Sequence, residues 1–309
     1  MTFKRACSPC LFLCLVALAS SAGAQNTATP ASGGYSSDST GFATAGDFSG
    51  SYLFGNDGGT YFLFDKMIGD GPGYAEGYSR FGLRVKLHDT GDSHLWSSAY
   101  ALISDQNRVG VNLGGGYRWL FDSNVLSLHG WYDSYETDNG FRYDQVSAGL
   151  EILHEELDMR VNGYLPINET ENFFAITDPG TESVFTSRGI GFLGRGLDEQ
   201  ALKGIDAEVG TAIFGVNWAR VYGGGYWYDG QNTSFGGARG RVETAISPDL
   251  SLNFVVQNDS EFDTNYQMSV EWRFSGGLSP GLFTPFHGEA RKYNPVRRQW
   301  PVATQVVEI

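Results

Sequence analysis

From about Thr60 to Phe274 the chain alternates apolar and polar residues with a period of two, in short runs broken by turn residues. Between Arg108 and Trp119, the residues Val109, Val111, Leu113, Tyr117 and Trp119 fall on one face. Arg108, Gly110, Asn112, Gly114, Gly116 and Arg118 fall on the other. Successive side chains of a strand point to opposite sides, so this run is a strand with one apolar and one polar face. The pattern recurs at Leu157, Met159, Val161 and Leu165 against Asp158, Arg160, Asn162 and Tyr164. It recurs again at Tyr266, Met268, Val270, Trp272 and Phe274 against Asn265, Gln267, Ser269, Glu271 and Arg273.

The alternation predicts strands over 60–68, 78–88, 94–104, 107–120, 124–136, 142–153, 156–166, 203–213, 217–228, 235–246, 250–257 and 265–274. The stretch 167–202 reads as one long loop. Strands of about ten residues exceed the usual soluble length and match a tilted strand crossing a bilayer. Connection lengths also sort by parity. Even-numbered connections such as "FDSN" and "HEE" are short; odd ones include "GDGPGYAEG" and the excursion 167–202. Short turns on one side and longer loops on the other are the habit of outer-membrane barrels, as is an even strand count. The predicted fold is all-β: a transmembrane antiparallel up-and-down β-barrel of about twelve strands, with its N-terminus in the periplasm.

Composition supports this. The 309 residues include 42 glycines and 14% aromatics, with only 18% charged. That mixture argues against both a helical protein and simple disorder. The opening "MTFKRACSPCLFLCLVALASSAGAQ" has a basic start at Lys4 and Arg5, a short apolar core, and Ala22-Gly23-Ala24 ahead of Gln25. It reads as a cleaved secretory signal over 1–24. All three cysteines, Cys7, Cys10 and Cys14, lie within it, so disulfides and thiolate sites are not expected in the mature chain. The formal charge of −14 opposes nucleic-acid binding. The expected organisation is a signal peptide (1–24), a Gly/Ser/Thr-rich flexible periplasmic lead-in (25–59), the barrel (60–274) and a post-barrel linker (275–309).

The block "NRVGVNLGGGYRWLFDSNVLSLHGWYDSYETDNGFRYDQVSAGLEI", followed by "ELDMRVNGYLPI", resembles the β-domain of inverse autotransporters, the intimin/invasin family. The matching pieces are the run Asn112 to Trp119, Asn124, Tyr132-Asp133, Gly149-Leu150-Glu151 and Asn162-Gly163-Tyr164. The tail "ARKYNPVRRQWPVATQVVEI" resembles the family's post-barrel segment through Arg291, Tyr293, Val296, Arg298, Val306 and Val307. The resemblance implies a twelve-stranded barrel whose following polypeptide threads back through the pore to a surface-displayed passenger. The chain as given stops at Ile309 without passenger modules, and no peptidoglycan-binding module precedes the barrel. Secretion and adhesion are therefore not carried over. The expected role is anchor and conduit for a C-terminal segment; the alternative is a passenger-free pore or structural barrel.

The polar faces place Arg84, Lys86, Arg108, Asn112, Arg118, Asp133, Glu151, Asp158, Arg160, Asn162, Asp206, Glu208, Arg220, Arg239, Arg241, Glu243, Glu271 and Arg273 in the lumen. These charges and the inward glycines are expected to receive the threaded tail, with residues 280–295 opposite Asn112. An outward Arg would cost roughly 2–4 kcal/mol at the bilayer midplane, so avoidance of lipid explains their placement as well. Tyr117, Trp119, Trp131, Tyr132, Trp218, Trp227 and Tyr228 are expected as an interfacial aromatic girdle. Phe274, closing the last strand, is expected to be the signal read by the barrel-assembly machinery. The other expected partners are outer-membrane lipid and periplasmic chaperones.

Enzyme chemistry finds little support. "GIGFLG" (189–194) matches G-x-G-x-x-G but lacks a βαβ setting and reads as loop glycine. The five histidines form no H-x-x-x-H or H-E-x-x-H, so no metal or other cofactor is expected. Ser127 and His129 share a strand face, but no G-x-S-x-G accompanies them, and both read as lumen lining.

Overall fold

A computed structural model of the chain describes residues 59–308, apart from 73, 75, 123, 169, 178–182, 187–188, 193, 232 and 276–287. The expected signal peptide and all of the lead-in but residue 59 lie outside the described residues.

Twelve strands close into one antiparallel barrel. They are β1 (Tyr61–Gly69), β2 (Tyr78–Asp89), β3 (Ser93–Ser104), β4 (Val109–Phe121), β5 (Asn124–Glu136), β6 (Arg142–Leu153) and β7 (Leu157–Ile167), then β12 (Lys203–Ile213), β13 (Val216–Asp229), β14 (Ser234–Ser247), β15 (Leu250–Asp259) and β16 (Asp263–Phe274). Each pairs with its sequence neighbour, β7 pairs with β12, and β16 closes on β1 with Phe274 opposite Phe62. Closure leaves no unpaired barrel edge, which is what lets a sheet cross a bilayer.

The connections 90–92, 122–123, 154–156, 214–215 and 248–249 all lie at one end, the short-turn rim. Three of them are two residues long, and in two of these Asp122 (φ 53°) and Gly215 (φ 75°) take the left-handed backbone common in such tight hairpins. The opposite, long-loop rim carries the connections 70–77, 105–108, 137–141, 168–202, 230–233 and 260–262.

The excursion 168–202 departs from the expected loop. It holds β8 (Glu171–Thr177), β9 (Ser183–Thr186), β10 (Gly189–Phe192) and β11 (Gly194–Ala201). β9 and β10 form a hairpin, so the "GIGFLG" glycines lie on strands and not in a flexible loop. β8 and β11 pair, and a strand from the far end of the chain, β17 (Thr304–Glu308), joins them in the order β17-β11-β8. Alternation within 168–202 is too short to announce these strands; β11 is completed by a partner more than a hundred residues away.

Alternation places the faces. Leu128, Leu150, Met159, Val161, Val209, Val221 and Met268 point outward and are exposed. Arg80, Arg118, Asp133, Glu151, Asp158 and Glu271 point inward and are buried. The interior is nevertheless not uniformly polar. Strands β1, β3 and β5 turn Leu63, Met67, Trp96, Tyr100 and Trp131 inward, where they cluster with Val296, Trp300 and Val302 from the C-terminal segment. Apolar side chains tolerate the lumen because the segment within it supplies apolar partners.

Candidate functional site

The candidate site is the occupied lumen. A short 3-10 helix (Gly288–Tyr293) sits at the short-turn rim. Its Arg291 donates to the His154 carbonyl and to Asp158, each at 2.6 Å. Lys292 lies 3.2 Å from Asp89, and the Tyr293 hydroxyl donates to Asp89 at 2.8 Å. The chain then climbs the barrel to β17 at the long-loop rim.

Three wall arginines clamp the start of this path. Arg118 donates to the carbonyls of Lys292 (2.8 Å) and Asn294 (2.7 Å). Arg84 reaches the Asn294 carbonyl at 3.1 Å, and Arg273 reaches the Asn294 side-chain oxygen at 3.3 Å. Higher up, Asn162 donates to the Arg297 carbonyl and Asn112 to the Trp300 carbonyl, both at 3.2 Å. The Gln299 amide donates to the Tyr164 hydroxyl at 2.9 Å. These bonds satisfy backbone groups that a non-strand segment would otherwise bury without partners. Asn112 thus faces Trp300, not the range 280–295 expected from the sequence, of which 280–287 lie outside the described residues. The chain spends Gly288–Tyr293 in a 3-10 helix at the short-turn rim, so a later residue reaches the depth of Asn112.

Side-chain charges form a belt around the lumen. Arg118 meets Glu151 (2.8 Å), Glu151 meets Arg160 (3.3 Å), and Arg160 meets Glu208 (2.9 Å). Glu208 meets Arg241 (2.5 Å), which meets Glu243 (2.9 Å). The next link comes from the C-terminal segment: Arg297 lies 2.6 Å from Glu243 and 2.6 Å from Glu271. Glu271 continues to Arg80 (3.8 Å), and Arg80 to Asp65 (3.1 Å). One layer away, Arg298 binds both oxygens of Asp133, which also accepts from Asn112 at 2.7 Å. Alternating sign lets so many buried charges coexist, since each is paired as burial demands.

Trp300 tops this layer. Its ring meets Trp131 and Tyr100 edge-on at 4.9 and 5.7 Å, and the Arg80 guanidinium lies 3.7 Å from the ring centre. Beside the segment there remains a cavity of about 100 Å³ bordered by Asp65, Arg80, Asp206, Arg239, Arg241 and Trp300. Volume on that scale holds several waters.

The inward glycines have a specific use. Gly114 faces Trp131 across the β4–β5 pairing, Gly110 faces Tyr135, Gly210 faces Tyr222, and Gly237 faces Tyr226. A Cβ at Gly114, Gly210 or Gly237 would run into the opposing ring. The glycines make room first for aromatic rings lying flat on the wall, and only through them for the threaded segment.

Most of the sequence-chosen lumen residues meet here. Asp206 is bonded by Tyr164 (2.6 Å) and Asn162 (2.8 Å), and Arg239 bonds Gln257 at 3.3 Å. Arg220 lies 3.1 Å from Asp158 and donates to the His154 and Glu155 carbonyls. Lys86 borders Gly59 at the short-turn rim. Arg108 is corrected: it has inward parity, but β4 begins only at Val109, so it sits at the long-loop rim and pairs with Glu136 at 3.2 Å. Two girdle residues are corrected as well. Trp131 and Tyr228 are 5% and 0% exposed and point into the lumen, whereas Trp119 and Trp227 are 42% and 45% exposed on the outer face. Side-by-side aromatics such as Trp131-Tyr132 and Trp227-Tyr228 must split between faces. Ser127 accepts from Arg118 at 3.2 Å and His129 is buried on the same face. Phe274 points outward and stacks on Trp272 at 4.3 Å. Sequence reading missed Asp65, Arg80 and Arg297. The first two had inward parity as their signal; Arg297 stood unremarked beside Arg298.

A closed twelve-stranded barrel with an apolar outer face and a charged interior defines this protein as an outer-membrane β-barrel. A family model described as "Inverse autotransporter, beta-domain" matches residues 76–232, and the chain belongs to that family. Among solved structures, a chain from work on the in-meso crystallization of membrane proteins superposes with a TM-score of 0.59 at 15% identity, over 80% of this chain and 100% of that one. The KdgM porin in complex with disordered oligogalacturonate is more distant, with a TM-score of 0.41 at 11% identity over 70% of this chain and 99% of the other. No curated protein matches significantly.

Proposed function

We propose that this chain is the outer-membrane anchor and export conduit of an inverse autotransporter, carrying a C-terminal segment to the cell surface. It works as a passage and a mooring, not as an enzyme. One observation carries the reading: residues 291–303 lie inside the closed wall, tied to it at the short-turn rim through Arg291 and at the long-loop rim through β17. The short-turn rim faces the periplasm in this reading, and the long-loop rim faces outward. The signal over 1–24 starts export and periplasmic chaperones keep the chain unfolded. The assembly machinery reads the β1–β16 seam with Phe274, and lipid then surrounds the apolar band. Residues 275–309 act as the post-barrel linker.

An epitope fused after Ile309 tests this on intact cells expressing the full chain. External antibody is expected to label it without permeabilization. A tag reached only after permeabilization, on a correctly assembled barrel, overturns the reading and favours a passenger-free barrel.

A further inference from the structure

We infer that Arg297 and Arg298 are the register-determining residues of the threaded segment: their ion pairs with the wall set where the exported chain comes to rest. The inference rests on the conduit reading above.

The contacts along the path are of two kinds. Those from Arg84, Arg118, Asn112 and Asn162 go to backbone carbonyls of the segment. Every residue offers a carbonyl, so this cradle grips any sequence passing through it. Arg291, through Asp158 at the short-turn rim, and Arg297 and Arg298 within the lumen make the other kind. Arg297 places one guanidinium between Glu243 and Glu271 with four N–O contacts of 2.6 to 3.3 Å. Arg298 engages both oxygens of Asp133, and among the described residues no other cation lies within ion-pair distance of that carboxylate. Planar guanidinium-to-carboxylate contacts carry direction as well as energy. A slip of two residues toward the long-loop rim would bring Pro295 and Val296 to these three acids, leaving buried Asp133 without a cation and Glu243 and Glu271 with only Arg241 and Arg80 of the wall.

The anchor at β17 is less exacting. The β17–β11 pairing survives a two-residue slip, because a strand's face pattern repeats every second residue. Pro295 and Pro301 bracket the arginines and restrict the backbone between them, so a position fixed at Arg297 is transmitted to β17.

Disulfide mapping of the full-length barrel tests this, since no cysteine follows Cys14. In the resting register Ala201 pairs with Thr304. Cysteine pairs 201–304, 201–302 and 201–306 report the resting register and slips of two residues either way. With native arginines the 201–304 link should dominate. In Arg297→Gln/Arg298→Gln it should fall about tenfold while the shifted links rise. The wall variant Glu243→Gln/Glu271→Gln, with the segment unchanged, should shift the links in the same sense. An unchanged 201–304 yield in barrels that keep their heat-modifiable mobility overturns the inference. So does loss of all three links in the arginine variant, which would mean that the arginines hold occupancy and not register. Absence of every link in the native background would instead refute the conduit reading.

Discussion

Arg298 and Asp133 lie 165 residues apart in the chain and meet in the middle of the barrel, Nη1 donating to Oδ1 at 2.8 Å. Both are buried. The contact joins the wall to the segment it encloses, and its energetics follow from burial. Removing one partner strands a charge, at about 3–5 kcal/mol, whereas replacing both by apolar groups is often neutral. Asp133→Leu and Arg298→Leu should each raise protease sensitivity of the segment in detergent-solubilised barrel. The double variant should recover most of the protection. Additive losses would show that the pair does not act as a unit.

Gly114 is a second closely packed position. Its position opposite Trp131 leaves no room for a larger side chain. Gly114→Val should force Trp131 off the wall toward Trp300, at about 1–3 kcal/mol of overpacking. The temperature at which the barrel loses its compact electrophoretic mobility should drop. Gly163, beside which a Cβ meets nothing, should accept Val with little change.

The outer sheet carries a pH dependence. Burial pushes the Glu199 carboxyl above its ordinary value of 4.5, against hydrogen bonds from Asn139, Thr137 and Thr304 that pull it down. The folded form therefore holds its proton more tightly than the unfolded one. The stability this lends the β17-β11-β8 sheet is fully present below about pH 4.5 and is lost as pH rises through the raised value. Hydrogen exchange at the β17 amides should speed up across that window. In Glu199→Gln the dependence should vanish; its persistence would assign the effect to another group.

The membrane face is tested by paired substitutions. Val161, outward at the middle of β7, should tolerate Arg poorly, at roughly 2–4 kcal/mol. Val161→Arg should lower the yield of assembled barrel. Phe173 is still more exposed but lies on β8, outside the barrel wall. Phe173→Arg should leave assembly unchanged, and equal loss in both would contradict the assigned lipid face.

The barrel was legible because alternation is local. Each strand from β2 to β7 announces itself by its own residues, and the parity of its turns orders the wall. Inward charges such as Glu151 and Arg160 follow from parity alone. What lay beyond the sequence was of longer range. Strand β11 lies between β8 and a distant partner, β17, and the inward-turned Trp131 packs against Trp300 of the threaded segment. Arg297 closes the charge belt only because the chain re-enters its own barrel, a geometry no period-two pattern encodes. Arg108 was misplaced by one strand boundary, since parity gives the face but not the depth.

The central claim is that the chain's own C-terminal segment occupies the pore. Single-channel conductance of the purified barrel in planar bilayers tests it most directly. The full chain should conduct little, and deletion of residues 288–308 should open a steady conductance in a barrel of unchanged heat-modifiable mobility. A full-length barrel that already conducts as steadily as the deletion variant would contradict the account.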